Sequence, residues 1–260
     1  LMITIIQPSI DPVIASFGNF SIRWYGLSYV VGIVFGIILI KNINKNLNFL
    51  IKNKVIDDFF IWVTLGVILG GRIGYMIFYQ TSELINNPLI IFYIWKGGMS
   101  FHGGLIGVIS VIFLFCYIKK INFFIISDFV STVAPIGLFF GRIANFINTE
   151  LYGRVTDFKL AIIYPTIDEK PRHPSQLYEA LFEGLILFII LFLYFKKNSK
   201  TYYIGRISAL FLILYSFFRF FIEYLREPDF QLGLYFNHLS MGQILCFPLI
   251  IFGILIYYRK

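Results

Sequence analysis

Charged side chains are scarce in this chain. Only 14% of its 260 residues are Asp, Glu, Lys or Arg, whereas an ordinary soluble domain has about 25%. Hydrophobic residues make up 58% of the chain and aromatic residues 20%, and the mean hydropathy is +0.79. This composition excludes an ordinary soluble domain and predicts an all-α polytopic membrane protein.

Cysteine and histidine are also rare. Cys116 and Cys246 both lie inside apolar runs, where a free cysteine usually behaves as a small hydrophobic residue. Their surroundings indicate neither a disulfide framework nor an activated thiol. The three histidines do not have the spacing of metal ligands. We therefore predict neither a bound metal nor a cofactor.

The charge that is present is mainly basic. The formal net charge is +8, but the Lys and Arg residues lie mostly between apolar runs rather than in a patch suited to nucleic acid. This distribution is typical of membrane orientation, and we expect no nucleic-acid partner. Residues 1–20 lack a basic segment and a small-residue cleavage site, so we expect no cleavable signal peptide.

Seven apolar runs approach the ~20 residues needed to cross a hydrocarbon core. They cover residues 22–40, 59–78, 99–118, 125–146, 176–195, 204–225 and 239–258. A shorter run at 88–95 is expected to lie along the interface, with Tyr93 and Trp95 at headgroup level. Within a single membrane domain, 1–260, residues 147–175 are predicted to form a small extracytoplasmic insertion with short strands at 152–153, 155 and 160–164.

Lys and Arg are unequally divided between alternate loops. Twelve lie on one side and seven on the other, and three arginines lie within the predicted spans. The richer side is predicted to be cytoplasmic. Seven spans then place the N-terminus outside and the C-terminus inside.

This topology predicts that most of the unexplained polar groups lie at one depth. Arg72, Arg142 and Arg219 fall near the outer ends of their spans, and His102 lies in the first turn of the third. The carboxylates expected at the same level are Glu150, Glu179 and Glu183. Because an ionisable residue inside a membrane is by default a candidate functional residue, we predict a polar site in the outer leaflet.

Two of these arginines are suited to bind phosphate. The guanidinium groups of Arg142 and Arg219 are planar and permanently charged, and they stabilise an anion strongly in a low-dielectric site. The alternative is that they form structural ion pairs with Glu150 and Glu223. Glu223 follows Arg219 by four residues and precedes Arg226 by three, which predicts a helical ion-pair ladder.

His102 and Arg72 each have two interpretations. His102 could accept a proton near neutral pH, or it could be a histidine satisfied by backbone groups. Gly103, Gly104 and Gly107 after it leave a helix face open to a neighbouring helix or a lipid. Arg72 either extends to the interface or lines a pocket.

The fifth predicted span begins with polar residues. Gln176, Glu179 and Glu183 share one helical face, and Ser175 before them is expected to cap the helix.

Four segments resemble motifs of the prolipoprotein diacylglyceryl transferases. They are GRIANFINTELYGR at 141–154, HGGLIG at 102–107, HPSQLYE at 173–179, and the sixth-span group of Tyr215, Arg219, Glu223 and REPD at 226–229. The similarity extends from 23–26 to 241–243 and therefore covers nearly the whole chain. Ala144 and Thr149 stand where glycine is common in the family, and both changes leave the polar pattern intact.

The resemblance implies an activity in the bacterial cytoplasmic (inner) membrane. The family transfers the diacylglyceryl group of phosphatidylglycerol to the lipobox cysteine thiol of a preprolipoprotein signal peptide. The reaction forms a thioether and releases glycerol phosphate. The nucleophile arrives with the substrate, so the chain's own cysteines are not required.

The resemblance also implies residue roles. Arg142 and Arg219 would bind the phosphate and stabilise its departure, His102 is the candidate base, and Glu150 would orient polar partners. Water or Glu150 is equally compatible with the removal of the thiol proton. The implied substrate-binding residues are Tyr25, Arg72, Asn145, Gly153, Tyr215, Glu223 and Arg226.

Two other classes of protein share some of these features. A lipid transporter or flippase also has intramembrane Arg and Glu residues, but its polar groups would continue into the cytoplasmic half. A structural or receptor-like protein would use the same ion pairs only to lock helices together.

Overall fold

The computed structural model describes residues 5–18, 20–48, 50–93, 97–198, 201–228 and 239–259, most of them in helices. The chain forms two compact units. Unit 1 consists of residues 1–36 and 128–260, and unit 2 of residues 37–127.

The helices follow the predicted apolar runs. They are α1 (Trp24–Asn46), α2 (Asn53–Tyr79), α3 (Thr81–Asn86), α4 (Phe101–Lys119), α5 (Phe123–Ile147), α6 (Ser175–Glu179), α7 (Leu187–Lys197), α8 (Arg206–Ile222) and α9 (Met241–Tyr257). A π-helical segment, Ala180–Ile186, joins α6 to α7 without a break. A 3₁₀ helix, Pro88–Phe92, follows α3.

Five helical segments are long and apolar enough to cross a membrane. They are Trp24–Asn46, Asn53–Tyr79, His102–Lys119, Phe123–Ile147 and Ser175–Lys197. Large apolar side chains on them are exposed, including Ile38, Ile61 and Phe113, as expected of surfaces that face lipid rather than water. The chain is therefore a polytopic membrane protein.

The remaining predicted segments are partly described. Helices α8 and α9 cover the sixth and seventh predicted runs, but each has 17 residues, so the count of seven spans stays a prediction. The 3₁₀ helix covers the start of the predicted interfacial run at 88–95. Trp95 and His238 lie outside the described residues.

Short strands occur near the N-terminus and between α5 and α6. They are β1 (Ile5–Ile6), β2 (Val13–Phe17), β3 (Phe20–Arg23), β4 (Ile162–Ile163) and β5 (Pro171–Arg172). β2 and β3 form an antiparallel hairpin, while β4 pairs with β1 in parallel and with β5 in antiparallel orientation. β4 confirms a strand within 160–164, and isolated bridges form at Gly153 and Val155.

In unit 2, α2 and α4 pack together through glycines. A Cβ atom on Gly70 would lie 2.8 Å from the Cα of Gly107, and one on Gly74 would lie 2.6 Å from the Cα of Gly103. Small residues spaced by four allow helix backbones in a membrane to approach closely. The open face predicted from the glycines of α4 is thus occupied by α2.

We expect Gly107→Ala to destabilise the protein by about 1–3 kcal/mol, the usual cost of overpacking a close contact. The added methyl group would lie 3.0 Å from the Cα of Gly70 and nearer still to the Gly66 carbonyl oxygen. Gly104→Ala is the matched control, because its methyl group would meet only the Val67 carbonyl oxygen at 3.7 Å. The unfolding midpoint in detergent measures both, and equal midpoints would contradict the packing argument.

In unit 1, a buried carboxylate holds the start of α8. Asp128 is inaccessible to solvent and accepts four hydrogen bonds of 2.6–2.7 Å, from the Ser208 amide and hydroxyl, the Gly205 amide and the Tyr202 hydroxyl. Burial and the nearby Asp128 raise the pKa of Tyr202, which keeps this phenol a hydrogen-bond donor. Asp128 was not among the residues singled out from the sequence.

Candidate active site

Arg142 lies near the C-terminal end of α5 and contacts two glutamates. Its Nε atom is 3.1 Å from Glu179 Oε2, and its Nη2 atom is 3.4 Å from Glu183 Oε2. Glu179 is the last residue of α6, and Glu183 lies in the π-helical segment. The ion-pair partners of Arg142 are therefore Glu179 and Glu183, and not Glu150 as the structural alternative proposed.

Arg219 joins the same two glutamates from α8. Its Nη1 atom contacts Glu179 Oε1 and lies 3.6 Å from Glu183 Oε1. Its Nη2 atom is 2.6 Å from Glu223 Oε2, and Arg226 lies 4.0 Å from the same oxygen. The ladder predicted from the spacing of Arg219, Glu223 and Arg226 is confirmed.

The six side chains form one buried cluster, which we call the arginine–glutamate cluster: Arg142, Arg219, Arg226, Glu179, Glu183 and Glu223. The side chains of Glu179 and Glu183 are 0% exposed, whereas those of Arg142 and Arg219 are 16% and 11% exposed. The phenol of Tyr215 is near enough to interact electrostatically with Arg142, Arg219 and both buried glutamates. Charges in such a site are weakly screened and interact more strongly than at the surface.

A close backbone contact brings the glutamates to α5. A Cβ atom on Gly184 would lie 2.7 Å from the Cβ and 2.8 Å from the Cα of Phe139. Glycine at this position therefore allows the π-helical segment to approach α5, which places the neighbouring Glu183 beside Arg142. π-Helical turns within α-helices occur frequently at functional sites.

The start of α9 holds Glu223. Ser240 caps this helix in a capping box with Gln243, and the Ser240 hydroxyl donates to Glu223 Oε1 at 2.9 Å. A Cβ atom on Gly242 would lie 3.0 Å from the same carboxylate. The positive end of the helix dipole therefore adds to the stabilisation of this anion.

Glu150 lies apart from these ion pairs, in a tight turn after α5. Its exposed carboxylate accepts hydrogen bonds from Asn145 Nδ2 at 2.9 Å and Asn148 Nδ2 at 3.4 Å. Thr149 and Leu151 on either side have φ angles of 59° and 57°. Positive φ is unfavourable for both residues, and such backbone strain is concentrated at functional sites.

Residues of the HPSQLYE segment hold this turn. Gln176 Nε2 donates to the Glu150 carbonyl oxygen at 2.7 Å, and the Ser175 hydroxyl donates to the Leu151 carbonyl oxygen at 2.7 Å. The expectation that Ser175 caps α6 is wrong, because Pro174 is the N-cap residue. The Ser175 hydroxyl instead satisfies a carbonyl group of the strained turn.

Gly153 lies where three backbone segments meet. Its amide donates to the His173 carbonyl oxygen at 2.9 Å, and it forms an antiparallel bridge with Arg226. A Cβ atom would lie 2.6 Å from the Cβ of His173 and 2.7 Å from the Leu225 carbonyl oxygen. Only glycine fits this contact, which connects the segment after α5 to the residues that carry Arg226.

Arg172 and His173 stabilise the segment between α5 and α6. Arg172 contacts Asp168 through Nη2 at 2.7 Å and donates to the Gly153 carbonyl oxygen at 3.1 Å. The guanidinium group holds the pKa of Asp168 below its usual range, while burial lowers the pKa of His173. His173 is therefore neutral at pH 7, and its ring lies 3.4 Å from the Tyr178 hydroxyl.

Tyr25 belongs to the same unit as the arginine–glutamate cluster. Its ring packs edge-on against that of Tyr29, with centroids 5.5 Å apart. Tyr29 in turn is close enough to Arg142 to interact with its charge. Tyr25 and Arg142 thus share Tyr29 as a neighbour, Tyr25 through a ring contact and Arg142 through its charge.

Arg72 and His102 belong to unit 2. Arg72 is buried and donates to four carbonyl oxygens, those of Ile90 at 2.7 Å, Ile91 at 3.2 Å, Gly97 at 2.5 Å and Gly98 at 3.4 Å. Its guanidinium group therefore holds the segment after α3 in place, and its role in substrate binding stays a prediction. His102 is an exposed residue in the first turn of α4, and its role as a base also stays a prediction.

The sequence predicts Glu179 and Glu183 at the depth of the polar site but assigns neither of them a catalytic or binding role. A usable signal was present, because two carboxylates four residues apart inside an apolar run require cationic partners. The described structure defines a polytopic membrane protein with a buried arginine–glutamate site at the ends of α5, α6 and α8.

Comparison with known proteins identifies the family. Residues 12–259 match the family model described as prolipoprotein diacylglyceryl transferase, and the chain belongs to this family. The phosphatidylglycerol–prolipoprotein diacylglyceryl transferase of Rickettsia bellii is 50% identical over 248 residues, covering 95% of this chain and 94% of the relative. Those of Rickettsia typhi and Aeromonas salmonicida are 50% and 49% identical, covering 95% of this chain and 96% and 88% of their own lengths.

Proposed function

We propose that the chain transfers the diacylglyceryl group of phosphatidylglycerol to the lipobox cysteine thiol of a preprolipoprotein. The observation that carries this proposal is the convergence of Arg142 and Arg219 on one buried site, with contacts of 3.1–3.6 Å to shared glutamates. Two fixed guanidinium groups at one site can contact a single phosphate group. The identity to transferases of the same family over 95% of the chain supports this assignment.

The chemistry requires a thiolate and a stabilised leaving group. The thiol loses its proton, because thiolate is the nucleophile. The sulfur then attacks the glycerol carbon of the diacylglyceryl group that bears the phosphate ester oxygen. The carbon–oxygen bond breaks, its electron pair stays on the phosphate, and glycerol phosphate leaves with an additional negative charge. Arg142 and Arg219 are placed to stabilise that charge as it develops.

The group that accepts the thiol proton remains one of three candidates. His102 has the chemistry of a base near neutral pH. Glu150 presents an exposed carboxylate that two asparagine amides hold in place, and a water molecule bound there would serve as well. Asn145 then acts by positioning Glu150. The other residues proposed to bind substrate are Tyr25, Gly153, Tyr215, Glu223 and Arg226 in unit 1 and Arg72 in unit 2.

The same proposal includes a topology. Seven spans, with α8 and α9 as the sixth and seventh, place the N-terminus outside and the C-terminus in the cytoplasm of a bacterium. Residues 147–175 then form an extracytoplasmic insertion, and the arginine–glutamate cluster lies in the outer-leaflet half of a single membrane domain. This location would give the site access to a lipid headgroup and to a signal peptide that emerges outside.

A lipid flippase is less well supported. It would need accessible polar groups in the cytoplasmic half of the membrane. In the proposed topology Asp128 lies at that end of α5, but both of its oxygens accept hydrogen bonds from the chain.

Reconstitution tests the proposed function. The purified protein is incubated in detergent with phosphatidylglycerol and a peptide that carries a lipobox cysteine, and the mass of the peptide is followed. We expect a gain equal to one diacylglyceryl group, no gain when the cysteine is replaced by serine, and no gain when diacylglycerol replaces phosphatidylglycerol. An unmodified peptide in the presence of folded protein and phosphatidylglycerol would refute the proposal.

A further inference from the structure

The centre of the arginine–glutamate cluster is electrically balanced. Two cationic side chains, Arg142 and Arg219, share two anionic ones, Glu179 and Glu183, through contacts from α5, α6, the π-helical segment and α8. Both glutamates are fully buried. These four groups therefore carry no net charge before a substrate arrives.

A phosphodiester group at the two arginines would disturb this balance. It would add one negative charge to a buried site, and an uncompensated buried charge is strongly unfavourable. The titratable or charged groups that face Glu183 are Arg142 from α5, Arg219 and Tyr215 from α8, and Glu179 one turn earlier on its own helix. Arginine is always protonated in proteins, and a tyrosine is already neutral at pH 7. Uptake of a proton by a glutamate is the change that restores the balance within this group.

The contacts distinguish the two glutamates. Glu179 lies 3.1 Å from Arg142 Nε, makes the closest contact with Arg219, and has Arg226 at 4.0 Å. Glu183 has longer contacts of 3.4 Å and 3.6 Å. Each glutamate has one oxygen, Oε1 of Glu183 and Oε2 of Glu179, that accepts no hydrogen bond from any residue in the described part of the chain, so the distances to the arginines make the difference. Protonation of Glu183 therefore sacrifices less attraction than protonation of Glu179.

Protonation of Glu183 would also free hydrogen-bond donors of Arg142 for a phosphate group. The Nη2 atom of Arg142 is directed at Glu183, whereas its Nε atom lies beside Glu179. When Glu183 is a carboxylic acid, Nη2 can turn its hydrogen bonds to a phosphate oxygen while Glu179 still holds the guanidinium group. Glu179 thus keeps both arginines in position, while Glu183 gives up its contact with Arg142 Nη2 when the phosphate binds.

We propose that binding of the phosphatidylglycerol headgroup at Arg142 and Arg219 is coupled to the uptake of one proton by Glu183. The proton comes from water, converts the carboxylate to a carboxylic acid, and is released when glycerol phosphate leaves the site. Glu183 acts here as a positioning residue, because it controls the donors offered to the phosphate. This inference rests on the proposed function, since it assumes that the lipid phosphate binds at these arginines.

Binding without turnover tests the coupling. Phosphatidylglycerol is titrated into the purified protein in detergent, with no peptide acceptor, between pH 5.5 and 8.5. Because binding takes up a proton, affinity is expected to fall as pH rises, by up to tenfold per pH unit between the pKa values of Glu183 in the free and bound states. Calorimetry in two buffers with different ionisation enthalpies should report close to one proton taken up per lipid bound.

Two amide variants separate the glutamates. Glu183→Gln imitates the protonated side chain, so we expect its affinity for phosphatidylglycerol to lose the pH dependence. Glu179→Gln is the matched variant on the same helical segment, and it should bind more weakly but keep the pH dependence. If the affinity of Glu183→Gln for phosphatidylglycerol falls with pH as steeply as that of the unmodified protein, the inference is overturned.

The outcomes also separate this inference from the proposed function. Failure of the folded, unmodified protein to bind phosphatidylglycerol at any pH would contradict the proposed function. Binding without proton uptake would overturn the role of Glu183 and leave the proposed function intact. If Glu183→Gln does not fold, the number of protons taken up per lipid bound by the unmodified protein still tests whether binding is coupled to proton uptake.

Discussion

Replacing Arg142 by glutamine is expected to lower the rate of diacylglyceryl transfer by about 10²–10³-fold, the usual effect of removing one group that stabilises transition-state charge. The same substitution removes a cation from Glu179 and Glu183, both fully buried. Breaking a buried ion pair from one side typically costs about 3–5 kcal/mol of stability. Activity and unfolding midpoint should therefore both fall in the single variant, as measured by the peptide mass assay and by thermal unfolding in detergent.

A charge-balanced double variant separates the two effects. Arg142→Gln combined with Glu183→Gln removes one charge of each sign, so the unfolding midpoint should recover towards that of the unmodified protein. Transfer should remain slow, because the guanidinium group that stabilises the departing phosphate is still missing. If the arginines only lock helices together, the double variant will recover activity along with stability.

Asp128→Asn is expected to lower the free energy of unfolding by about 2–4 kcal/mol. An asparagine oxygen can still accept from the Ser208 amide and hydroxyl, but its NH₂ group would face the Gly205 amide and the Tyr202 hydroxyl, which now donate at 2.7 Å. The Tyr202 hydroxyl can rotate to accept a hydrogen bond from this NH₂ group. The Gly205 N–H can only donate, and it is left without an acceptor. Loss of charge-assisted hydrogen bonds adds to this cost.

Asp57→Asn is the matched control for this substitution. Asp57 forms a 2.5 Å ion pair with Lys41 in which both side chains are well exposed, and such surface pairs contribute about 0–1 kcal/mol. Asp128 and Arg142 are fourteen positions apart on α5, or about 21 Å along the helix axis. Transfer per folded Asp128→Asn molecule should therefore be unchanged, and unfolding midpoints that coincide for the two variants would contradict the proposed role of Asp128.

The features that could be predicted from the sequence depend on position along a single helix. The apolar runs predicted the helices, and the spacing of Arg219, Glu223 and Arg226 predicted their ion-pair ladder. The membrane composition and the family motifs led to the family that the comparisons identify. These features follow from local periodicity and from the order of residues in the chain.

Features that depend on the rotation of one helix against another were not predicted. The partners of Arg142 come from α6 and the π-helical segment, and the sequence does not reveal which face of that span turns towards α5. Two further features depend on the position of the strained turn. Pro174 is the N-cap residue of α6, and the Ser175 hydroxyl donates to the Leu151 carbonyl oxygen. The role of Asp128 is not evident from the sequence because its partners are about 80 residues away along the chain.

The π-helical segment divides the span from Ser175 to Lys197 into a part that makes ionic contacts and a part that packs through apolar side chains. Before it, Glu179 contacts the arginines; after it, Leu187, Leu191 and Phe195 form a buried apolar face. Each residue added to or removed from an α-helix rotates the remainder of the helix by about 100°, so the segment sets the angle between the ionic face and the apolar face. A change in length beyond Phe195 would leave both faces aligned, whereas any insertion or deletion between Glu179 and Leu187 would misalign one face or the other.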